Sequence, residues 1–157
     1  GMTQKTFAFV VYPGLTPLPT AETFVDGWAH TGDVGCLDEH GYLFILDRRK
    51  DMIITGGFNV YPREIENVVS ELPGIREVAV VGAPDERWGE AITAFVSTEP
   101  GNAVSADGVL AHCRARLGGY KVPKKVVFVE DLPKTGTGKI QKQILREKLW
   151  TGLQRRV

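Results

Sequence analysis

Leu46-Asp47-Arg48-Arg49-Lys50-Asp51-Met52-Ile53-Ile54-Thr55-Gly56-Gly57-Phe58-Asn59-Val60-Tyr61-Pro62-Arg63-Glu64-Ile65-Glu66 is the stretch around which the chain is organised. It ends a strand, places a run of charge, offers a bare Gly-Gly backbone and starts a helix. The charged run from Asp47 to Lys50 lies between two apolar runs, and such a point stays wet. Two readings of this stretch stand side by side: a solvated turn between strands, or a hinge with substrate-facing backbone beside it.

Downstream, the pattern predicts a helix over Pro62 to Leu72. Pro62 suits the first helical position, where its missing N–H costs nothing. Glu64 and Glu66 sit where the helix dipole favours anions. Ile65, Val68, Val69 and Leu72 form one apolar stripe, and Pro73-Gly74 ends it. Met52 to Thr55 reads as a short strand stopped by Gly56-Gly57. Glu77 to Val81 is an almost continuous apolar run, which predicts a strand central in a sheet. Ala83 to Gly89 reads as a polar loop carrying Trp88. Ala91 to Thr98 alternates, with Ile92, Ala94 and Val96 on one face of a half-buried strand. Glu99 to Asn102 reads as a turn. Ser105 caps a second helix running to Leu117, with Val109, Leu110, Cys113 and Leu117 inward and Gly118-Gly119 as its stop. Lys125 to Glu130 reads as a strand, Leu132 to Lys139 as a loop, and Gln141 to Trp150 as a last helix. This order predicts an α+β fold: a small sheet domain with helices on its faces.

Upstream the signals are shorter. Val34 to Leu37 and Tyr42 to Leu46 read as two strands joined by the hairpin turn Asp38-Glu39-His40-Gly41. Gly27 to Asp33 reads as a loop with an exposed carboxylate at its end, and Ala21 to Val25 as one helical turn. Thr6 to Tyr12 is β-prone, and Pro13 to Thr20 is a loop or linker. These residues hold too little core to fold alone.

The chain has 157 residues, suited to one domain or a domain with an appendage. Its net charge is zero, from 19 acidic and 19 basic residues, which argues against strong nucleic-acid binding. No apolar run is long enough to span a membrane, and no signal pattern opens the chain. Gly1 before Met2 reads as the remnant of a tag. Cys36 and Cys113 make no disulfide framework, and a reducing cytoplasm is the simple expectation. His30, His40 and His112 show no metal-ligand spacing, so no metal site is expected, and no nucleophile is matched with a base.

Pro133-Lys134-Thr135-Gly136-Thr137-Gly138-Lys139 is the strongest local signal for chemistry. Its glycines and small hydroxyls free the backbone to bring a cation to a phosphate or carboxylate. It is not a P-loop, because Ile140 follows the lysine. The alternative is a flexible, solvated loop. Thr31-Gly32-Asp33 is also ordinary turn sequence, and Trp28 and Trp88 are also ordinary packing residues.

Three segments in this order resemble the C-terminal part of the adenylate-forming superfamily, which includes acyl-CoA synthetases, peptide-synthetase adenylation domains and luciferases. They are Trp28-Ala29-His30-Thr31-Gly32-Asp33, the run from Asp47-Arg48-Arg49-Lys50-Asp51 through Gly56 to Glu66, and Pro133 to Lys139. The resemblance covers about residues 20 to 149. It implies ATP-dependent activation of a carboxylic acid, with Mg²⁺ entering on ATP, followed by transfer to the thiol of CoA, as in fatty acid metabolism. It implies that Asp33 accepts from the ATP ribose hydroxyls, that Arg48 contacts the ribose or phosphates, and that Lys139 is the catalytic lysine of adenylation. Lys50 matches the hinge. Gly56 and Gly57 match a stretch lining a pantetheine tunnel, and Trp88 is expected near the CoA nucleotide.

The large N-terminal domain, its phosphate loop and the acyl pocket are not in the chain. By the resemblance, residues 1–47 are a hairpin remnant of that domain with the hinge approach, and residues 48–157 are the mobile C-terminal domain. The chain is expected to be a fragment, a truncated product or a separately encoded mobile domain, inactive alone. The alternatives are a non-catalytic binding or regulatory module that keeps the fold, and the C-terminal domain of a peptide-synthetase adenylation unit. Phe7, Phe9, Val10, Val11 and Tyr12 form an apolar run without that large partner, so a homodimer through the residues before Arg48 is expected. The competing outcome is a monomer in which the run folds back on the hairpin, and light scattering distinguishes them.

Overall fold

The computed structural model describes residues 3–10, 24–25 and 28–152, with side-chain surroundings from His30 onward. Pro13 to Thr20, together with Val11, Tyr12 and Ala21 to Thr23, lies outside the described residues. The chain divides into two compact units, Gly1–Lys50 and Asp51–Val157.

The first unit is a four-stranded sheet of β1 (Thr3–Val10), β2 (Phe24–Val25), β3 (Trp28–Leu37) and β4 (Leu43–Arg48). β3 is its centre, antiparallel to β1, β2 and β4. Two expectations fail here. Phe24 and Val25 are strand, not a helical turn, and the segment from Trp28 to Asp33 is strand, not loop. The cause is pairing with β1, a partner distant in sequence, which overrides local loop chemistry. Gly32, with φ +74°, marks the irregularity. Between Thr6↔Val34 and Ala8↔His30 the register shifts, so β3 bulges around Gly32 and Asp33 follows the bulge. The expected hairpin is present. The Asp38 carboxylate accepts from the backbone N–H of His40 at 2.9 Å and Tyr42 at 2.8 Å, and Gly41 takes φ +83°.

The second unit contains β5 (Ile53–Thr55), β6 (Phe58–Val60), α1 (Pro62–Ser70), β7 (Ile75–Asp85), β8 (Gly89–Thr98), α2 (Ala106–Arg116), β9 (Lys125–Phe128) and α3 (Lys142–Leu149). The α+β class holds, with a five-stranded sheet in order β6-β5-β8-β7 and β9 parallel to β8. β6 is an element the sequence reading left out. Thr55-Gly56-Gly57-Phe58 is a two-residue hairpin in which Gly56 and Gly57 take φ +54° and +82°. Both signs are what a type I′ turn requires.

The central strand is β8, not β7. β8 pairs with β7, β5 and β9, whereas β7 pairs with β8 alone among the described strands. The apolar run of β7 reports coverage of both faces rather than a central place. Val78 and Val80 pack with Ile65, Val69, Val109 and Cys113, and Ala79 and Val81 pack with Phe95, Leu132 and Leu145. The outer edge of β7 is closed by a side chain: the Glu66 carboxylate accepts the Val80 N–H at 2.7 Å. β8 is likewise buried on both faces, with Thr93 and Ser97 opposite Ile92, Ala94 and Val96, so the half-buried expectation fails. β7 also continues to Asp85, into the segment read as loop. α2 is capped as expected, Ser105 Oγ accepting from Gly108 N at 3.1 Å. Cys113 is fully buried and burial pushes its thiol pKa up. Among the described residues no helix is long and apolar enough to cross a membrane.

Candidate functional site

In the first unit the register sets Asp33 opposite Arg48 on neighbouring strands. Arg48 Nε donates to Asp33 Oδ1 at 2.9 Å, and Arg48 Nη1 donates to the Thr31 carbonyl at 3.3 Å. Asp33 is three-quarters buried at its side chain, not exposed as the loop reading required, while Arg48 stays more than half exposed. A strong acceptor and a guanidinium donor therefore stand together on one sheet, the acceptor suited to hydroxyls and the donor to phosphates. Lys50 is exposed in the 3₁₀ turn Arg49–Asp51 and is the last residue of its unit.

In the second unit the hairpin turn and Trp88 come together. Gly56 N–H donates to the Trp88 carbonyl at 2.8 Å. A Cβ on Gly56 would stand 3.0 Å from the Trp88 ring, so the ring lies on bare backbone. Arg87 and Lys124 lie 4.8 and 5.1 Å from the ring centre of Trp88. Phe58, beside Gly57, stacks on Tyr120 with centroids 4.7 Å apart. Lys121 bonds both oxygens of Glu64 at 2.7 Å. Burial works to lower the Lys121 pKa, but the bond and charge of Glu64 outweigh it and hold the pKa above its ordinary value. The sequence reading missed Arg87, Lys124, Phe58 and Tyr120. The cluster of Gly118-Gly119-Tyr120-Lys121 near two further lysines was the available signal.

Lys139 occupies a small closed hairpin. Thr135 N–H donates to the Lys139 carbonyl at 2.8 Å, Lys139 N–H donates to Thr135 Oγ1 at 3.2 Å, and Gly138 turns at φ +80°. Lys134 bridges to Ile140 across its base. These bonds close the loop into a hairpin whose tip, residues 136–139, is exposed. Its two flanking lysines are tied down: Lys134 Nζ lies 2.8 Å from Glu77, and Lys142 Nζ lies 2.7 Å from Glu66. Lys139 itself is exposed, and no carboxylate holds its ammonium among the described residues. Each candidate thus lies within one unit: Asp33 and Arg48 in the first, Gly56, Gly57, Trp88 and Lys139 in the second.

Residues 64–139 match the family described as AMP-binding enzyme C-terminal domain. Over 132 residues the chain is 52% identical to the long-chain-fatty-acid–CoA ligase FadD13 of Mycobacterium tuberculosis, covering 84% of this chain and 26% of that protein. Over 148 residues it is 49% identical to the fatty acid–[acyl-carrier-protein] ligase ScoC of Streptomyces coeruleorubidus, covering 94% of this chain and 28% of that protein. The crystal structure of ATP-bound MatB from Rhodopseudomonas palustris is similar with a TM-score of 0.75 and 47% identity, over 81% of this chain and 25% of that one. The chain thus spans about a quarter of the length of the relatives it matches. Residues 64–139 of the chain therefore belong to the C-terminal domain of AMP-binding enzymes, and the relatives it resembles over most of its length include CoA and acyl-carrier-protein ligases.

Proposed function

We propose that this chain serves an ATP-dependent acid–thiol ligase, supplying the lysine for adenylation and a surface for CoA. The observation that carries the reading is the Lys139 hairpin: its two neighbours are neutralised by Glu77 and Glu66, while the Lys139 ammonium stands exposed. A cation held so is preorganised for the charge that builds as a carboxylate attacks the α-phosphate, with pyrophosphate leaving. Asp33 would receive the ribose hydroxyls, and Arg48, already bonded to it, would face ribose or phosphate. Mg²⁺ would enter on the phosphates. Among the described residues no group of three His, Cys, Asp or Glu side chains could hold a metal, so no step is assigned to the ion.

Lys50 is the proposed hinge of a mobile domain comprising residues 48–157. Gly56 and Gly57 would pass the pantetheine chain, and Trp88, with Arg87 and Lys124 against its ring, suits a nucleotide carrying phosphates. The proposed partner is a large adenylation domain that brings the acid pocket and the phosphate loop. Tyr42, just before β4, and Phe44 and Ile45 on it, each at least half exposed, suit packing against it. The expected homodimer would form through the same residues before Arg48, and the reaction would run in the cytoplasm. A carrier-protein thiol is the second reading of the acceptor, favoured by the likeness to ScoC.

The purified chain alone should leave ATP–pyrophosphate exchange at background with a panel of carboxylic acids. Asp33, Arg48 and Lys139 need a second wall to enclose ATP. Robust exchange by the chain alone would contradict this account.

A further inference from the structure

Three polar side chains of α3 recur at a spacing of four: Lys142, Arg146 and Trp150, the last at the helix cap. A helix places such residues on one face. Each is anchored to a different element of the second unit. Lys142 Nζ bonds Glu66 of α1 at 2.7 Å, and the same carboxylate accepts Val80 N–H of β7. Trp150 Nε1 donates to the Gly82 carbonyl of β7 at 2.8 Å. Arg146 Nη1 meets Asp51 Oδ1 at 2.5 Å, across 95 positions of sequence. The Asp51 and Arg146 side chains are 13% and 12% exposed. A charge pair this buried holds firmly, because losing one partner leaves the other uncompensated.

Asp51 directly follows Lys50, and α3 directly follows the Lys139 hairpin, whose base is closed by Gln141 N–H on the Pro133 carbonyl at 2.8 Å. The geometry points to Asp51 as a positioning residue that, through Arg146, makes α3 a strut joining the chain at Lys50 to the loop bearing Lys139. Rotation at Lys50 then moves the lysine with it rather than dissipating in a loose helix. The inference rests on the proposed roles of Lys50 and Lys139 for its consequence in catalysis, but the strut itself is a property of the chain alone.

Amide hydrogen exchange on the full chain tests the strut. Asp51→Asn keeps the shape and removes the charge. It should speed exchange at Lys142 to Leu149 and at Thr135 and Lys139 by about tenfold or more, while Val78 to Val81 and Ala94 to Ser97 change by less than about twofold. The charge-exchanged pair, Asp51→Arg with Arg146→Asp, should restore protection. Unchanged exchange would overturn the inference. So would uniform acceleration across the unit, or failure of the exchanged pair to restore protection in a folded chain.

A second arm uses the chain with a large adenylation domain supplied and Lys139→Ala as its control. Asp51→Asn should lower kcat for adenylation by about tenfold with KM for ATP unchanged. Normal adenylation by Asp51→Asn, where Lys139→Ala is crippled, overturns the inference. If Lys139→Ala is itself without effect, the proposed function has failed, and the exchange pattern alone decides the strut.

Discussion

Lys139→Ala, in an enzyme completed by a large adenylation domain, should lower acyl-adenylate formation by about 10²–10³-fold, the range seen when one preorganised charge donor is removed from a developing anion. Thioester formation from supplied acyl-adenylate should be spared. The reason for a split lies in the loop. Thr135 and Gly138 close the hairpin through backbone bonds that an alanine at position 139 keeps, so the change removes one ammonium and leaves its support standing. Lys50→Pro should do the reverse, because proline fixes φ at the residue where the units meet. Separate assays of the two half-reactions check both, and equal loss in both steps for both variants would contradict the assignment.

Ile92→Ala should destabilise the second unit by about 2–5 kcal/mol, the usual range for truncating a buried aliphatic side chain. Ile92 is fully buried on β8 and belongs to the cluster formed by Ile53, Val60, Ile65 and Val80. That cluster joins the hairpin carrying Gly56 and Gly57 to α1 and β7. Against a total of about 5–15 kcal/mol for a domain, the loss is large. Urea unfolding followed by tryptophan fluorescence measures it. Val127→Ala, at a partly buried site on β9, should have a clearly smaller effect. Equal effects at the two sites would contradict the placing of β8 at the centre.

Helix α1 was legible because independent local signals agreed: Pro62 at its first position, Glu64 in its first turn, and Ile65 and Val69 on the buried face. The hairpin at Gly41 was legible for the same reason. Val34 to Leu37 of β3 was legible as strand, but Trp28 to Asp33 was not, because the partner β1 lies more than twenty positions away along most of the register and Gly32 looked like a loop. The place of β7 was misread because an apolar run reports buried faces, while strand order depends on which edge finds a partner. Here the Glu66 carboxylate, not a strand, takes the Val80 N–H on the outer edge of β7.

The candidate site was legible at the level of motif and not of contact. Lys139, Asp33 and Gly56-Gly57 stood out by residue type and order, and the C-terminal-domain resemblance is borne out by the match over residues 64–139. The bond between Asp33 and Arg48 needed the strand register. The Gly56–Trp88 contact needed β5 to meet β8 at Thr55↔Gly89. The stripe of Lys142, Arg146 and Trp150 was present in the sequence as a spacing of four, but tests of periodicity look for apolar residues, and the carboxylate partners lie 76 and 95 positions away.

Restoring activity in trans tests the central claim most directly. The purified chain, mixed with the large domain of an acyl-CoA ligase, ATP, Mg²⁺, CoA and that ligase's acid, should yield the acyl-CoA thioester. The same mixture made with Lys139→Ala should fall to the level of the large domain alone. Thioester at equal rates with Lys139 and Lys139→Ala, or none from a mixture in which the two proteins demonstrably bind, would contradict the account.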